Sequence, residues 1–221
     1  MEPLLNESCV VASNTSSLPL DVLSAALERP ERFGGMHFFN PPSRMRLVEV
    51  IRAPETTDET AEFLFDFAIA LGKTPIRVAN GPGFVVNRVL MPLLNEAVRE
   101  LEDGAASAAD IDEAIRLGLN HPMGPLALAD LIGLDVVARI MDDMHSRLQD
   151  EAYAPRPLLP QLVREADTAL PSSMRRRSPT PSSTWWGRVG RPPRAQACRT
   201  ARGAQGPRSA RPRPGTRPGI L

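Results

Sequence analysis

Cysteine, histidine and lysine are scarce in this chain, and each scarcity closes off a class of explanation. The two cysteines, Cys9 and Cys198, stand far apart with no CxxC pair and only three histidines beside them, which excludes both a disulfide framework and a zinc site as organising features. No apolar run approaches the roughly 18 to 20 residues needed to cross a bilayer, so no membrane span is expected. The opening MEPLLNES lacks the basic n-region and apolar segment of a secretory leader, and the chain reads as cytoplasmic. Lys73 is a single lysine against 25 arginines, a usage that suggests a GC-rich gene. Acidic residues are missing from one region altogether: Pro171 to Leu221 holds 12 Arg and neither Asp nor Glu, while all 26 acids lie before it. The formal charge of zero therefore conceals a body at −12 and a tail at +12, which excludes a single uniform globular unit.

What is present alternates first and then becomes helical. Cys9 to Ala12 (CVVA) reads as a buried strand meeting a polar loop, SNTSS, and Asp21 to Glu28 has helical spacing. Phe33 to Phe39 reads as a second strand closed by Asn40-Pro41-Pro42, and Leu47 to Ile51 as a third. A capping box at Thr56 to Glu59 precedes a helix with Ala61, Leu64, Phe65, Ala68 and Leu71 on its apolar face and Gly72 as its stop. Pro75 to Ala79 is a fourth strand. Residues 1–79 are thus α/β, yet too few for a complete doubly wound domain. Beyond Asn80 an apolar stripe at Val86, Leu90, Leu93, Leu94, Ala97 and Leu101 predicts a long helix kinked at Pro92. A second helix is capped at Ser107 to Asp110, and a third is expected over Leu126 to Leu148, so residues 80–166 form an all-α unit whose broad apolar faces suit assembly with another subunit. Residues 167–221, rich in Arg, Pro and Gly, cannot bury enough surface to offset ordering entropy and are expected to be disordered.

Two polar residues interrupt apolar strands: His37 in the second and Glu49 in the third. Side by side, they would meet as imidazole and carboxylate, an arrangement that fixes the tautomer and leaves one ring nitrogen as a general base. Spacing alone leaves open a structural histidine or a solvated glutamate at a strand end. Ser16, Asn40 and Asn87 could aim hydrogen bonds into the same space, or could serve as turn and cap residues.

Taken together, ASNTSSL at Ala12 to Leu18, GMHFFNP at Gly35 to Pro41, LVEVI at Leu47 to Ile51, PGFVVNR at Pro82 to Arg88 and HPMGPLALADLIGLD at His121 to Asp135 resemble the NAD-dependent 3-hydroxyacyl-CoA dehydrogenases, especially the 3-hydroxybutyryl-CoA type. The resemblance spans about Leu4 to Val163. It implies a partial Rossmann-type sheet, a helical dimerisation domain, NAD as cofactor and an acyl-CoA substrate oxidised at its 3-hydroxyl in fatty acid metabolism. It further implies that His37 is the catalytic base and Glu49 its orienting carboxylate. Ser16 would then lie beside substrate and nicotinamide, Asn14 and Asn40 on the cofactor side, and Asn87 at the substrate oxygen.

The chain departs from that family in two places. It carries no GxGxxG turn, the element that holds a pyrophosphate at a helix N-terminus, and after Val163 it lacks the expected GRKxGxGF segment. The expectation is therefore an N-terminally truncated member with an unrelated, frameshift-derived tail. A homodimer through the helical domain is expected; the alternative is a non-catalytic fragment that keeps only the helical assembly surface and could pair with an intact subunit. The tail's arginines with Trp185 and Trp186 could contact phosphates and bases, but a basic low-complexity run reads first as a solvated tail, so nucleic acid is not an expected partner.

Overall fold

The computed structural model describes residues 4–16 and 18–169, with side chains described as far as residue 165. Of the tail expected to be disordered, residues 167–169 are helical, while 170–221, with Cys198, Trp185 and Trp186, fall outside the described residues.

Four strands, β1 (Val11–Ser13), β2 (Phe33–Phe38), β3 (Leu47–Arg52) and β4 (Thr74–Ala79), form one sheet in the order β1-β2-β3-β4. β1 and β2 are parallel, β2 and β3 antiparallel, β3 and β4 parallel. Helices α1 (Leu20–Ser24) and α2 (Asp58–Ala70) lie in the two parallel crossovers. Alternation along the strands sorts side chains between two faces. Met36, Val48 and Val50 pack with Leu64 and Ala68 of α2. Phe33 and Ile51 pack on the other face with Leu20 of α1, Val78 and Phe84. The Gly34-Gly35 pair lets helices approach both faces: an added Cβ would lie 2.6 Å from Leu64 at Gly34 and 2.8 Å from Leu20 at Gly35. His37 and Glu49 have the parity of the α1 face.

Local chemistry moves two of the expected boundaries. α1 has five residues rather than the eight from Asp21 to Glu28: after Ser24, whose buried hydroxyl lies 3.0 Å from Glu55 Oε2 and 3.1 Å from the Asp21 carbonyl, the chain tightens into three-residue turns, Ala26 N–H to Leu23 and Leu27 N–H to Ser24. The cap of α2 is Thr57, whose Oγ1 accepts from Thr60 N–H at 3.2 Å. Thr56 is buried and donates to the Phe33 carbonyl at 2.6 Å, tying the loop to β2.

The remaining α-helices follow the sheet: α3 (Val86–Glu102), α4 (Ala108–Gly118), α5 (Pro125–Ile132), α6 (Leu134–Leu148) and α7 (Leu158–Ala169). α3 runs on through Pro92. A proline leaves the carbonyl four residues earlier without its helical donor. That carbonyl belongs to Arg88, and the buried Tyr153 hydroxyl donates to it at 3.0 Å. The buried face of α3 is Asn87, Met91, Leu94, Asn95, Ala97, Val98 and Leu101, so Val86, Leu90 and Leu93 of the expected stripe sit at its margin. The single helix expected over Leu126 to Leu148 is two, broken at Gly133, whose φ of 104° no L side chain adopts without strain. α7 was not legible as a separate helix; Glu102 of α3 begins it by accepting from Leu158 N–H at 2.6 Å. Leu94, Val98, Leu126, Val137, Met141, Met144, Leu159 and Leu162 make one continuous core. No helix among the described residues is long and apolar enough to cross a membrane.

Candidate active site

Antiparallel pairing of β2 with β3 sets His37 directly opposite Glu49. Both are buried, His37 at 4% exposure and Glu49 at 0%. His37 Nδ1 lies 2.7 Å from Glu49 Oε2, and His37 Nε2 lies 2.8 Å from Ser16 Oγ. The other carboxylate oxygen, Oε1, accepts from the backbone N–H groups of Val85 and Val86, both at 3.0 Å. These are first-turn donors of α3, which has no acidic residue of its own there and no side-chain cap. Glu49 thus supplies from the sheet the negative charge that a helix N-terminus favours.

This network settles the state of the pair. Burial by itself would raise the Glu49 pKa, but the hydrogen bond to His37, the N–H groups of Val86 and Val85 and the attraction of the imidazole together outweigh it, and the carboxyl sits below the usual carboxylate range. An ionised carboxylate has no proton to give, so Nδ1 carries the hydrogen, and in the neutral form of the ring the lone pair is on Nε2, toward the Ser16 hydroxyl. Such a ring can take up a proton at Nε2 while the imidazolium that forms is stabilised from behind.

The rings of Phe39 and Phe84 contact the imidazole, with centroids 4.7 and 5.6 Å away. Neither phenylalanine was singled out from the sequence, and neither were the Val85 and Val86 amides; the Gly-Pro-Gly run before an apolar helix was the one available signal. Of the other expected site residues, Asn14 is exposed and its Oδ1 accepts from Phe38 N–H at 2.9 Å, joining the loop after β1 to the end of β2. Asn87 is buried in the first turn of α3, next to Val86. Asn40 lies exposed beyond β2, outside the hydrogen-bond chain of the dyad. Ser16 and Asn14 follow β1, and His37 closes β2, so the set gathers at the carboxyl ends of two parallel strands, where α/β sheets place ligands. Among the described residues no group of three or more His, Cys, Asp and Glu could hold a metal ion.

Known proteins match this chain over both halves. Residues 1–81 match the family model described as 3-hydroxyacyl-CoA dehydrogenase, NAD binding domain, and residues 83–172 match 3-hydroxyacyl-CoA dehydrogenase, C-terminal domain. The 3-hydroxybutyryl-CoA dehydrogenase of Clostridioides difficile is 48% identical over 164 residues, 74% of this chain and 58% of that protein. The mitochondrial hydroxyacyl-coenzyme A dehydrogenase of Sus scrofa is 48% identical over 160 residues, 72% of this chain and 51% of that protein. The crystal structure of an (S)-3-hydroxybutyryl-CoA dehydrogenase from Ralstonia eutropha superposes with a TM-score of 0.73 at 46% identity, covering 75% of this chain and 58% of that one. The chain spans little more than half the length of these relatives.

Proposed function

This chain belongs to the 3-hydroxyacyl-CoA dehydrogenase family, and on that premise we propose that it carries the proton-transfer side of a site that oxidises the 3-hydroxyl of a 3-hydroxyacyl-CoA, of the 3-hydroxybutyryl-CoA type, with NAD. The observation that carries this reading is the buried chain Ser16–His37–Glu49, with links of 2.8 and 2.7 Å. His37 Nε2 removes the hydroxyl proton, and the position of Ser16 Oγ marks where an oxygen can lie within its reach. Glu49 keeps the ring in the required tautomer and stabilises the imidazolium. Asn87, on the neighbouring turn of α3, helps polarise the substrate oxygen. Ser16, Asn14 and Asn40 line the cofactor side; with its Oδ1 taken by Phe38, Asn14 has its amide N–H groups to offer.

When bound, nicotinamide supplies the hydride acceptor. The described residues fit that end of the cofactor: a hydroxyl, an imidazole nitrogen and a side-chain amide lie together at the strand ends. No residues of this chain are assigned to the pyrophosphate, since the sequence carries no GxGxxG turn. Homodimer formation through the helical half, a cytoplasmic location and a role in fatty acid metabolism belong to the same proposal. Exposed apolar side chains at Val89, Leu117, Leu119 and Leu131 support the dimer.

Calorimetric titration of the full chain with NADH, with and without acetoacetyl-CoA, tests the reading. Saturable binding that tightens with acetoacetyl-CoA supports it. A folded sample that takes up neither overturns it for this chain and favours the non-catalytic alternative.

A further inference from the structure

We infer that Phe84 is a positioning residue for the dyad: its left-handed backbone turns the first amides of α3 onto Glu49, while its ring packs against His37. The segment that joins β4 to α3 contains two consecutive residues at positive φ, Gly83 at 74° and Phe84 at 49°. Glycine adopts that region without steric penalty, whereas a phenylalanine there is strained and persists only where its surroundings hold it. Val85 then returns to the right-handed region, with φ −100° and ψ −54°. A left-handed residue followed by a right-handed one brings successive N–H groups to the same side and forms a concavity that binds an anion. In this protein the anion is internal: Val85 and Val86 both donate to Glu49 Oε1 at 3.0 Å.

The side chain of Phe84 has a second task. It is buried at 7% exposure and its ring lies 5.6 Å from the imidazole, tilted by 54°. A glycine would make the turn at lower cost and leave that side of the ring open. The groups that face Glu49 are the imidazole on β2 and the amides at the start of α3, and Phe84 touches or orients both sets. The helical half thereby determines where the carboxylate stands, and through it where Nε2 points.

This role rests on the dehydrogenase reading above, but its test needs neither cofactor nor turnover. Two NMR signals of the full chain report the dyad: the Glu49 carboxyl carbon, followed through acid titration, and the far-downfield proton shared between His37 Nδ1 and Glu49. Phe84→Gly keeps the turn and removes the ring, so the Glu49 midpoint is expected to stay low while the downfield proton broadens into exchange with water. Phe84→Val opposes the left-handed backbone, so the Glu49 midpoint is expected to rise as the amides withdraw. A folded Phe84→Val chain with an unshifted midpoint, or a Phe84→Gly chain with an unchanged sharp downfield proton, overturns the inference. Should Phe84→Val fail to fold, Phe84→Gly decides alone. Loss of both effects with NADH binding intact would remove Phe84 and leave the dehydrogenase proposal standing; the opposite pattern would do the reverse.

Discussion

Glu49 in the sheet half and Asp112 in the helical half do the same work on the backbone. Each reaches from one element to the start of a helix that has no side-chain cap of its own. Glu49 accepts from Val85 and Val86 at α3, and Asp112 accepts from Leu126 and Ala127 at α5, at 2.7 and 3.0 Å. Their pKa values nevertheless move in opposite directions. For Asp112, burial raises the pKa by more than the two N–H groups lower it. For Glu49, burial is again the largest single influence, but the imidazole joins the two amides and the balance reverses. Two backbone donors at a helix start do not by themselves outweigh the upward push of burial on a carboxyl pKa; two such donors joined by a third partner with a proton to share do. In the sheet half the pair takes buried positions on the α1 face, and the sheet itself separates two small core clusters, while the helical half keeps one large one.

The sharpest way to break this comparison is to neutralise both carboxylates. Glu49→Gln keeps an oxygen for the amides but removes the charge behind His37, and on the proposed dehydrogenase reading, in a protein completed with a GxGxxG cofactor segment, turnover of 3-hydroxybutyryl-CoA is expected to fall by about 10²-fold or more, the scale of general-base loss. Asp112→Asn leaves turnover unchanged, and equal losses in the two variants would erase the distinction. Next in size is Gly124→Ala. An added Cβ there would lie 2.3 Å from the Asp112 side chain, so the carboxylate must leave α5, at a cost of about 1–3 kcal/mol typical of overpacking. Chemical denaturation measures it, and an unaltered midpoint would mean that α5 is held by its apolar face alone.

Acid sharpens the contrast further. The folded pKa of Glu49 is lowered, so its contribution to stability is present above the ordinary glutamate value of about 4.3 and is lost as pH falls through the folded value. The folded pKa of Asp112 is raised, so its contribution is present below the ordinary aspartate value of about 3.9 and is lost as pH rises through the folded value. Thermal unfolding midpoints across the acid range should therefore fall less steeply in Glu49→Gln and more steeply in Asp112→Asn than in the wild type. Parallel curves for all three proteins would refute the assigned directions. The smallest expected effect is Asp112→Asn at neutral pH, a change of about 1 kcal/mol, because the amide oxygen keeps one of the two bonds to α5 and the relief from burying a charge offsets part of the loss of the other.

The elements legible in the sequence are those whose signals are local. The β2 and β3 runs, the cap at Ser107 and the stop at Gly72 each depend on a few neighbouring residues whose preferences agree. The failures share the opposite property. The break at Gly133 lies inside a run of helical spacing, and the helix from Leu158 begins on the carboxylate of Glu102, 56 residues earlier in sequence. The shift of the α2 cap from Thr56 to Thr57 depends on a bond from Thr56 to the Phe33 carbonyl on another strand.

The same division runs through the candidate site. His37, Glu49, Ser16, Asn14, Asn40 and Asn87 could be named from the sequence, since a polar residue in an apolar strand, or a motif, is visible without a fold. That His37 faces Glu49 and takes its proton arrangement from it required the antiparallel register of β2 and β3. That the carboxylate is held ionised required the start of α3, more than thirty residues further along the chain. Residue type and local spacing are properties of a chain segment, so the sequence determined which groups could do chemistry. The charge and direction of those groups are set by neighbours brought close only by folding, and the tertiary structure alone decided them.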